Sequence, residues 1–356
     1  MCENCDKMWA GVVHAKDDIR YEQIDKPAPK PGEVLIKVKY TGICGSDVPR
    51  VLGDACHFFP NVLGHEFSGT VEALGEGVKS LEVGDRVAGV PLVPCGECED
   101  CKRGNFSLCK HYVFIGSRVF GSFAEYVCVP EANAVKFGDD VTFEQGALFE
   151  PTTVALHGFE RLDFKGGSTV AVLGGGTIGI LTAMWAKAFG AREVTVVDIL
   201  PERLEFAKKM GATSALNSMD ADFKEQAMAL TDGRGYDYVL ETAGAGATMK
   251  MTFDLVANRG QVCLIGTPKK ELTFSVDEWE CLNRKEFTLT GSWMSYSAPF
   301  PGHEWTLTAK AYATGMLKYD PGLIFETYPL SKIDEAFDAY RTPGKVKGKI
   351  LIDSEA

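Results

Sequence analysis

Four cysteines occur close together in one short segment of this chain, in the pattern Cys95-x2-Cys98-x2-Cys101-x7-Cys109. Only 11 of the 356 residues are cysteine, so this local density far exceeds a random distribution. Four thiolates on one loop can complete a tetrahedral zinc shell that leaves no open coordination position. The segment therefore predicts a structural zinc site, which holds a loop in place and performs no chemistry.

A second set of metal-binding side chains is spread more widely along the sequence. It consists of Cys44, the adjacent pair His65 and Glu66, and Glu150. Thiolate, imidazole and carboxylate are common zinc ligands, and a catalytic zinc site keeps one position open for water or substrate. Taken singly, Cys44 is more simply explained as a small buried apolar residue, and His65 with Glu66 as a surface pair. The set becomes a catalytic site only if the fold brings its members together.

A glycine-rich turn between two apolar strands is the third informative feature. Its sequence is Gly174-Gly175-Gly176-Thr177-Ile178-Gly179, which fits the pattern G-x-G-x-x-G. The pattern alone decides little, but an apolar β-branched run at 168–173 precedes it and a helix-like segment at 178–189 follows it. This order predicts a βαβ unit that binds a dinucleotide, with the pyrophosphate at the helix N-terminus. We therefore expect Gly174, Gly176, Thr177, Ile178 and Gly179 to contact the coenzyme.

An acidic residue at the end of the next strand indicates which coenzyme is bound. Asp198 closes the strand-like segment 193–198 and follows Gly179 by 19 positions. Such a carboxylate would accept hydrogen bonds from both ribose hydroxyls and would repel a 2′-phosphate. The sequence therefore favours NAD over NADP, and Arg203, near the start of the following helix, is a further candidate for coenzyme binding.

Composition and charge argue against several classes of partner. The 49 acidic residues outnumber the 37 basic ones, and the net charge of −12 disfavours nucleic acid or an anionic membrane. No apolar run reaches the roughly 18 residues of a membrane span, and the N-terminus carries no apolar signal core. We therefore expect no membrane partner and a cytoplasmic protein whose cysteines are reduced. Cys2 and Cys5 are then exposed thiols.

Three regions of the chain differ in their sequence pattern. Residues 1–155 are rich in turns and in segments that alternate with period two, which is typical of a compact β domain. Strands and helices alternate over 156–294, where 201–211 begins with proline and ends with glycine as a helix does. Such alternation predicts an α/β fold with a doubly wound parallel sheet. The C-terminal region, 295–356, contains two predicted helices and ends in a strand at 349–352.

Taken in this order, the three motifs resemble those of the zinc-dependent medium-chain alcohol and polyol dehydrogenases. The segment Gly64-His65-Glu66-x2-Gly69-x5-Gly75-x2-Val78 fits the zinc signature of that family at every fixed position. The resemblance covers nearly the whole chain. It implies a GroES-like β-barrel catalytic domain built from 1–155 and 295–356, and a Rossmann coenzyme domain at 156–294. It also implies two zinc ions per chain, NAD as coenzyme, and a homodimer or homotetramer.

The same resemblance implies roles for individual residues. Ser46 would pass on the proton of the substrate hydroxyl, and Asp47 would orient His65 and fix its tautomer. Glu150 stands where many family members have cysteine, and it would hold the zinc directly or through water. Pro49 occupies the position at which many alcohol dehydrogenases carry a histidine that continues the proton path. The onward route is therefore open, with ribose hydroxyls, water and Glu150 as alternatives.

Substrate motifs narrow the resemblance to enzymes that act on phosphorylated polyols. The matching segments are Cys44-Gly-Ser-Asp-Val-Pro-Arg50, Phe114-Ile-Gly-Ser-Arg118 and the region 291–302. A phosphate dianion needs fixed donors, so His57, Arg118 and His303 are candidates for its binding, and Trp293 for substrate contact. The alternatives are arabitol phosphate, sorbitol, xylitol, butanediol or threonine as substrate. A non-catalytic dinucleotide-binding protein is a remote alternative, and one zinc per chain instead of two would indicate it.

Overall fold

The computed structural model describes residues 6–356, which form two compact units. The first unit comprises Met1–Glu150, Tyr296–Gly315 and Pro321–Ala356, and the second comprises Pro151–Ser295 and Met316–Asp320. Cys2 and Cys5 lie outside the described residues. The predicted domain limits, with a coenzyme domain at 156–294 between two parts of the catalytic domain, stay a prediction.

Short strands joined by turns and loops are the main regular elements before residue 137. They are β1 (Lys7–Ala15), β2 (Asp18–Asp25), β3 (Glu33–Gly42), β4 (Asn61–Val62), β5 (Glu66–Leu74), β6 (Arg86–Gly89), β7 (Leu92–Val93), β8 (Val113–Phe114), β9 (Tyr126–Pro130) and β10 (Ala134–Lys136). The helices up to residue 160 are α1 (Val48–Val51), α2 (Glu99–Lys102), α3 (Phe143–Ala147) and α4 (Phe149–Glu160). Short 3₁₀ helices occupy Phe106–Leu108 and Glu131–Asn133.

Strands and helices alternate regularly in the middle of the chain, as the sequence pattern predicts. The elements are β11 (Thr169–Leu173), α5 (Thr177–Ala188), β12 (Glu193–Asp198), α6 (Pro201–Lys209), β13 (Ser214–Asn217), α7 (Phe223–Ala229), β14 (Tyr236–Glu241), α8 (Gly246–Leu255), β15 (Val256–Leu264), α9 (Val276–Lys285) and β16 (Thr288–Gly291).

The C-terminal part of the chain supplies two helices and two strands. They are α10 (His303–Ala313), β17 (Ile324–Pro329), α11 (Ile333–Asp338) and β18 (Lys349–Asp353), with 3₁₀ helices at Pro321–Leu323, Leu330–Lys332 and Ala339–Arg341. Strand β18 runs parallel to β17 and antiparallel to β3. Strands β17 and β18 therefore belong to a sheet whose remaining strands lie before residue 137.

The first unit is built around β3, which pairs with β5, β9 and β18. The strand order of this sheet is β10-β6-β5-β3-β18-β17, with β9 also on β3. Alternate residues Val34, Ile36 and Val38 are fully buried and pack in one core with Phe67 and Val87. Burial of this apolar face is what favours the strand over other conformations. Smaller sheets, β2-β1-β4 and β7-β8, complete the unit.

The second unit is a six-stranded parallel sheet with the order β13-β12-β11-β14-β15-β16. Every residue of β11, Thr169–Leu173, is buried, as expected for a central strand covered on both faces. The chain passes from β11 to β12 on one side and reaches β14 on the other side, so the strand order reverses beside β11. Ligands of such sheets bind at the carboxyl ends of strands beside this reversal. Of the helices in the described residues, none is long and apolar enough to cross a membrane.

Candidate active site

The four cysteines of the segment 95–109 converge in the structure. Their Sγ atoms all lie within 4.8 Å of one another, and Cys95 Sγ is 3.9 Å from Cys101 Sγ. A tetrahedron of ~2.3 Å zinc–sulfur bonds separates its sulfur atoms by about 3.8 Å, so the arrangement fits a zinc ion. The structure describes nine cysteines and all of them are free of disulfides. The four thiols are therefore available as ligands.

Backbone amides around this cluster stabilise thiolates. The N–H of Cys95 donates to Cys109 Sγ at 3.4 Å, and the N–H of Cys98 donates to Cys95 Sγ at 3.4 Å. Backbone donors of Cys101 and Lys110 lower the pKa of Cys98 to about 6, so this thiolate forms at neutral pH. Burial raises the pKa of Cys101 to about 12. Metal binding at the cluster would therefore release a proton from Cys101.

A second cluster consists of Cys44, His65 and Glu66, whose ligand atoms lie within 4.8 Å of one another. Strand pairing explains their proximity, because Gly42 at the end of β3 is in register with Glu66 at the start of β5. Cys44 and His65 lie just beyond these two strand ends. A Cβ atom at position 42 would meet the Glu66 carboxylate, so a side chain there would displace this group. Thiolate, imidazole and carboxylate at this spacing fit a zinc ion with an open position.

Asp47 lies behind His65 and determines which ring nitrogen faces the cluster. Its Oδ1 is 3.4 Å from His65 Nδ1, and its other oxygen accepts the N–H of Cys44 at 3.0 Å. Burial opposes the imidazolium form, but the Asp47 carboxylate and the Cys44 thiolate outweigh it and raise the pKa of His65 well above its ordinary value. With Nδ1 directed at Asp47, Nε2 is the nitrogen left to ligate a metal.

Glu150 lies near this cluster, although it is outside the group of ligand atoms within 4.8 Å. Burial and the negative charge of Glu66 raise the pKa of Glu150 to about 7, whereas the charges of His65 and Lys349 act in the opposite direction. The charges of the two glutamates therefore act on each other. Glu66 is the glutamate whose carboxylate lies within 4.8 Å of the ligand atoms of Cys44 and His65.

Ser46 is exposed to solvent beside Cys44, and Arg50 holds it in place. The backbone N–H of Ser46 points to Cys44 Sγ at 3.5 Å. One guanidinium nitrogen of Arg50 donates to the carbonyl oxygen of Ser46 at 3.0 Å and to its Oγ at 2.9 Å. The same nitrogen is 3.5 Å from Asp47 Oδ1. Sequence reasoning assigned no role to Arg50, because only the folded loop directs its side chain back onto Ser46.

The candidate substrate residues lie in three different parts of the structure. His57 and Arg118 are exposed on neighbouring loops of the first unit, joined by a hydrogen bond from Asn61 Nδ2 to the carbonyl oxygen of Ser117 at 3.1 Å. His303 lines a different cavity of about 590 Å³ in that unit, and its Nδ1 lies 3.5 Å from the Glu304 carboxylate. Trp293 belongs to the second unit and is 52% exposed. These positions separate His303 from the other two phosphate candidates.

The glycine-rich turn follows β11 directly and leads into α5. Gly174 has φ +107, a left-handed conformation that favours glycine, and a Cβ atom on Gly179 would collide with the Gly174 carbonyl oxygen. Gly176 is the N-cap of α5 and supplies no capping side chain, so the N–H groups at Thr177 and Ile178 are directed out of the helix start. This geometry is suited to a bound pyrophosphate.

Asp198 ends β12, and its carboxylate is held in one orientation beside this turn. Its Oδ2 accepts the N–H of Gly175 at 2.6 Å, and its Oδ1 accepts the N–H groups of Ile199 at 2.8 Å and Leu200 at 2.9 Å. A guanidinium nitrogen of Arg203 is 3.6 Å from Oδ2. The structure thus brings both predicted coenzyme side chains, Asp198 and Arg203, to the carboxyl end of the central strands.

Comparison with known proteins identifies the family. Residues 30–139 match the Alcohol dehydrogenase GroES-like domain, and residues 177–310 match the Zinc-binding dehydrogenase family. The chain is 39% identical to galactitol 1-phosphate 5-dehydrogenase of Escherichia coli (strain K12) over 88% of this chain and 91% of that protein. This chain is a zinc-dependent medium-chain alcohol dehydrogenase.

Two further comparisons concern individual relatives within this family. It is 38% identical to sorbitol dehydrogenase of Bacillus subtilis (strain 168) over 74% of this chain and 76% of that protein. The crystal structure of galactitol-1-phosphate dehydrogenase from Escherichia coli superposes with a TM-score of 0.92 at 36% identity, covering 97% of this chain and all of that chain. The predicted family and the predicted fold, a GroES-like domain with a Rossmann domain, are confirmed.

Lys349 is a residue of the dehydrogenase site that sequence reasoning missed. It opens β18, and its Nζ lies 2.8 Å and 2.5 Å from the two carboxylate oxygens of Glu66 and 3.2 Å from the carbonyl oxygen of Ile43. Both side chains of the pair are buried. Burial opposes the ammonium form, but Glu66 and Cys44 raise the pKa of Lys349 above its ordinary value. The only signal in the sequence was a lysine directly before the apolar strand residues 350–352.

We expect Cys98→Ser to remove one of two zinc ions per chain and to lower the free energy of unfolding by about 3 kcal/mol. That is the contribution of a cross-link closing a loop of this length. Elemental analysis of the purified protein and chemical denaturation measure the two effects. Cys281→Ser, in α9 away from the cluster, is the control and should keep both zinc ions. Full zinc content in Cys98→Ser would contradict the assignment.

We expect Lys349→Met to lower the free energy of unfolding by about 3–5 kcal/mol, because it leaves the Glu66 carboxylate buried without a counter-charge. Urea denaturation measures the loss. Lys349→Arg keeps the charge and should lose much less. In the double variant Lys349→Met, Glu66→Gln, most of the loss should be recovered, since both charges of this pair are then removed. Equal losses in Lys349→Met and Lys349→Arg would show that packing, and not charge, explains the effect.

Proposed function

We propose that this dehydrogenase oxidises a secondary hydroxyl of a sugar-alcohol phosphate to a ketone with NAD and zinc. The substrate we propose is galactitol 1-phosphate, and the product is tagatose 6-phosphate. The observation that carries the proposal is the convergence of Cys44, His65 and Glu66 beside the exposed Ser46. The identity of 39% with galactitol 1-phosphate 5-dehydrogenase supports the choice of substrate.

The residues of the cluster have separable roles in this reaction. When bound, zinc supplies a Lewis acid that lowers the pKa of the substrate hydroxyl, and NAD supplies the acceptor for the hydride. Cys44 and His65 would hold the metal, with Glu66 or Glu150 as the carboxylate ligand. Asp47 keeps the imidazole in the orientation that directs Nε2 to the metal.

Ser46 takes the proton of the substrate hydroxyl in this proposal. Its Oγ lies beside the cluster and already accepts a hydrogen bond from Arg50 at 2.9 Å. This donor stabilises negative charge on Oγ and fixes its direction, so the hydroxyl is pre-oriented toward the reacting oxygen. The carbon loses a hydride to NAD, and the hydroxyl proton passes through Ser46, which gives up its own proton to solvent water at its exposed position. Pro49 carries no group that could receive this proton in turn.

The fixed carboxylate of Asp198 supports NAD as the coenzyme. Three backbone N–H groups hold it at the end of β12, so it can accept from ribose hydroxyls without reorganisation. A 2′-phosphate at the same place would meet this negative charge. A guanidinium nitrogen of Arg203 lies 3.6 Å from Oδ2 of the same carboxylate.

We expect Asp198→Ala to lower the ratio of kcat/KM for NAD to kcat/KM for NADP by about 100-fold. The variant loses hydrogen bonds to a charged acceptor and the repulsion of a 2′-phosphate. Steady-state kinetics with the two coenzymes measure the ratio. Glu225→Gln, on the exposed side of α7, removes the same charge elsewhere in the second unit and is the control. An unchanged ratio in Asp198→Ala would contradict the role of this carboxylate.

We expect turnover of galactitol 1-phosphate with a kcat/KM about 100-fold or more above that of galactitol. A few charge-assisted hydrogen bonds to the phosphate are sufficient for this difference. Formation of NADH by the zinc-loaded enzyme, with galactitol 1-phosphate, galactitol, sorbitol and L-threonine side by side, measures it. Preference for a free polyol or for threonine would keep the dehydrogenase chemistry but reject the phosphorylated substrate. Binding of NAD without turnover of any alcohol would favour the non-catalytic alternative.

A further inference from the structure

Three basic side chains of the first unit lie near one another in a chain whose net charge is −12. They are Arg50, His57 and Arg118, and we call them the basic cluster. Over residues 6–356, neither His57 nor Arg118 has a carboxylate within ion-pair distance, and Arg50 has only Asp47, at 3.5 Å. Many other arginines of the first unit do have such partners, for example Arg20 with Asp18 at 2.6 Å. The basic cluster is therefore a local excess of positive charge on an acidic protein.

Arg50 connects this cluster to the reacting end of the site. It lies on the short helix α1, and its side chain is 18% exposed. One of its terminal nitrogens donates to both oxygens of Ser46, at 3.0 Å and 2.9 Å. These bonds use one edge of the guanidinium group. The other edge remains for an anion, because a guanidinium group has five N–H donors in a planar fork.

His57 and Arg118 lie on two loops that are fastened to each other. The hydrogen bond from Asn61 to the carbonyl oxygen of Ser117 joins them, and the rings of Phe58 and Phe120 stack with centroids 6.4 Å apart. Partial desolvation and the positive charges of Arg118 and Arg50 lower the pKa of His57 below its ordinary value. Both arginines are therefore close enough to His57 for their charges to act on it.

An aromatic row fixes the position of Arg118 relative to the metal ligands. The guanidinium carbon of Arg118 is 4.7 Å from the ring centroid of Tyr112. The Nη2 atom of Arg118 donates to the Tyr112 hydroxyl at 3.4 Å. Tyr112 meets Phe114 edge to face at 6.3 Å, and Phe114 meets His65 in the same way at 5.4 Å. Arg118 is thus held at a set distance from His65 by packed rings.

We infer that Arg50, His57 and Arg118 form the subsite that binds the phosphate group of the substrate, and that Arg50 couples this subsite to Ser46. The inference rests on the proposed function for the presence of a phosphate. Two guanidinium groups and an imidazole can donate to a dianion at once, and arginine does so in a bidentate manner. His303 is excluded from the subsite, because its Nδ1 faces the Glu304 carboxylate in a different cavity.

Arg50 is also a positioning residue, because it orients Ser46. A phosphate on its free edge would hold the guanidinium group in place, and that group holds Ser46 Oγ. Binding energy from the phosphate end would then orient the group that receives the proton at the other end. Arg118 and His57 therefore contribute to substrate affinity, whereas Arg50 contributes both to affinity and to the rate of the reaction.

The first test compares phosphorylated and free substrate in Arg118→Gln. We expect KM for galactitol 1-phosphate to rise about 10- to 100-fold, as for loss of a charge-assisted hydrogen bond, with kcat nearly unchanged. Kinetic constants with galactitol should change less than about twofold, within the range of a surface substitution. Arg20→Gln, which breaks a surface pair with Asp18, is the matched control. Equal effects of Arg118→Gln on both substrates would overturn the inference.

The second test separates the two roles of Arg50. In Arg50→Gln we expect kcat to fall with galactitol 1-phosphate and with galactitol alike, because Ser46 loses its donor. KM should rise for the phosphate ester alone. Arg50→Lys keeps the charge but not the planar fork, so it should recover KM more fully than kcat. A change of KM without any change of kcat would show that Arg50 does not act through Ser46.

The third test does not depend on turnover. Inorganic phosphate added to the zinc-loaded enzyme should raise the pKa of His57. This pKa is measured by NMR titration of the ring protons, whose signals are assigned by their loss in His57→Gln. Arg118→Gln should weaken this response. If phosphate shifts His57 but galactitol 1-phosphate is not oxidised, the subsite stands and the proposed substrate is wrong. If the ester is oxidised and phosphate leaves His57 unchanged, the proposed function stands and the subsite is wrong.

Discussion

The buried ion pair between Lys349 and Glu66 ties the metal-binding region of the first unit to the C-terminal strand. It joins β18, the last strand of the chain, to the start of β5, where the metal-binding residues lie. Two buried charges are tolerated only because each satisfies the other, and either alone would destabilise the fold. The pair therefore makes correct pairing of β18 with β3 a condition for an intact site.

The reacting region is organised by a chain of charges of alternating sign. Asp47 lies between His65 and Arg50, and Arg50 continues to Ser46. Each group is oriented by its neighbour before any substrate arrives, so little reorganisation is needed during the reaction. The same arrangement links recognition with chemistry, because Arg50, which orients Ser46, is also a member of the basic cluster. A substrate anchored at one end would then present its hydroxyl to a prepared group at the other end.

The coenzyme turn in the second unit depends on backbone approach and not on side-chain chemistry. Gly179 packs against the Gly174 carbonyl so closely that a Cβ atom has no room, and the start of α5 is left without a capping side chain. Both features expose N–H groups to a ligand at the end of a buried strand. Asp198 completes the turn with a carboxylate whose position is set by three amides. Rigidity of the parallel sheet is what makes this arrangement reproducible.

The sequence by itself determined the features whose parts lie close together along the chain. Four cysteines within one loop, and a glycine turn between a strand and a helix, have their geometry restricted by short connections, so their spacing predicted the structural zinc site and the coenzyme unit. Lys349 could not be paired with Glu66 in this way, because the partners are 283 positions apart and meet only through the register of β18 with β3. The direction of the Arg50 side chain and the meeting of His57 with Arg118 were decided by the tertiary structure for the same reason. Contacts between distant segments depend on how sheets and loops pack, which local pattern does not encode.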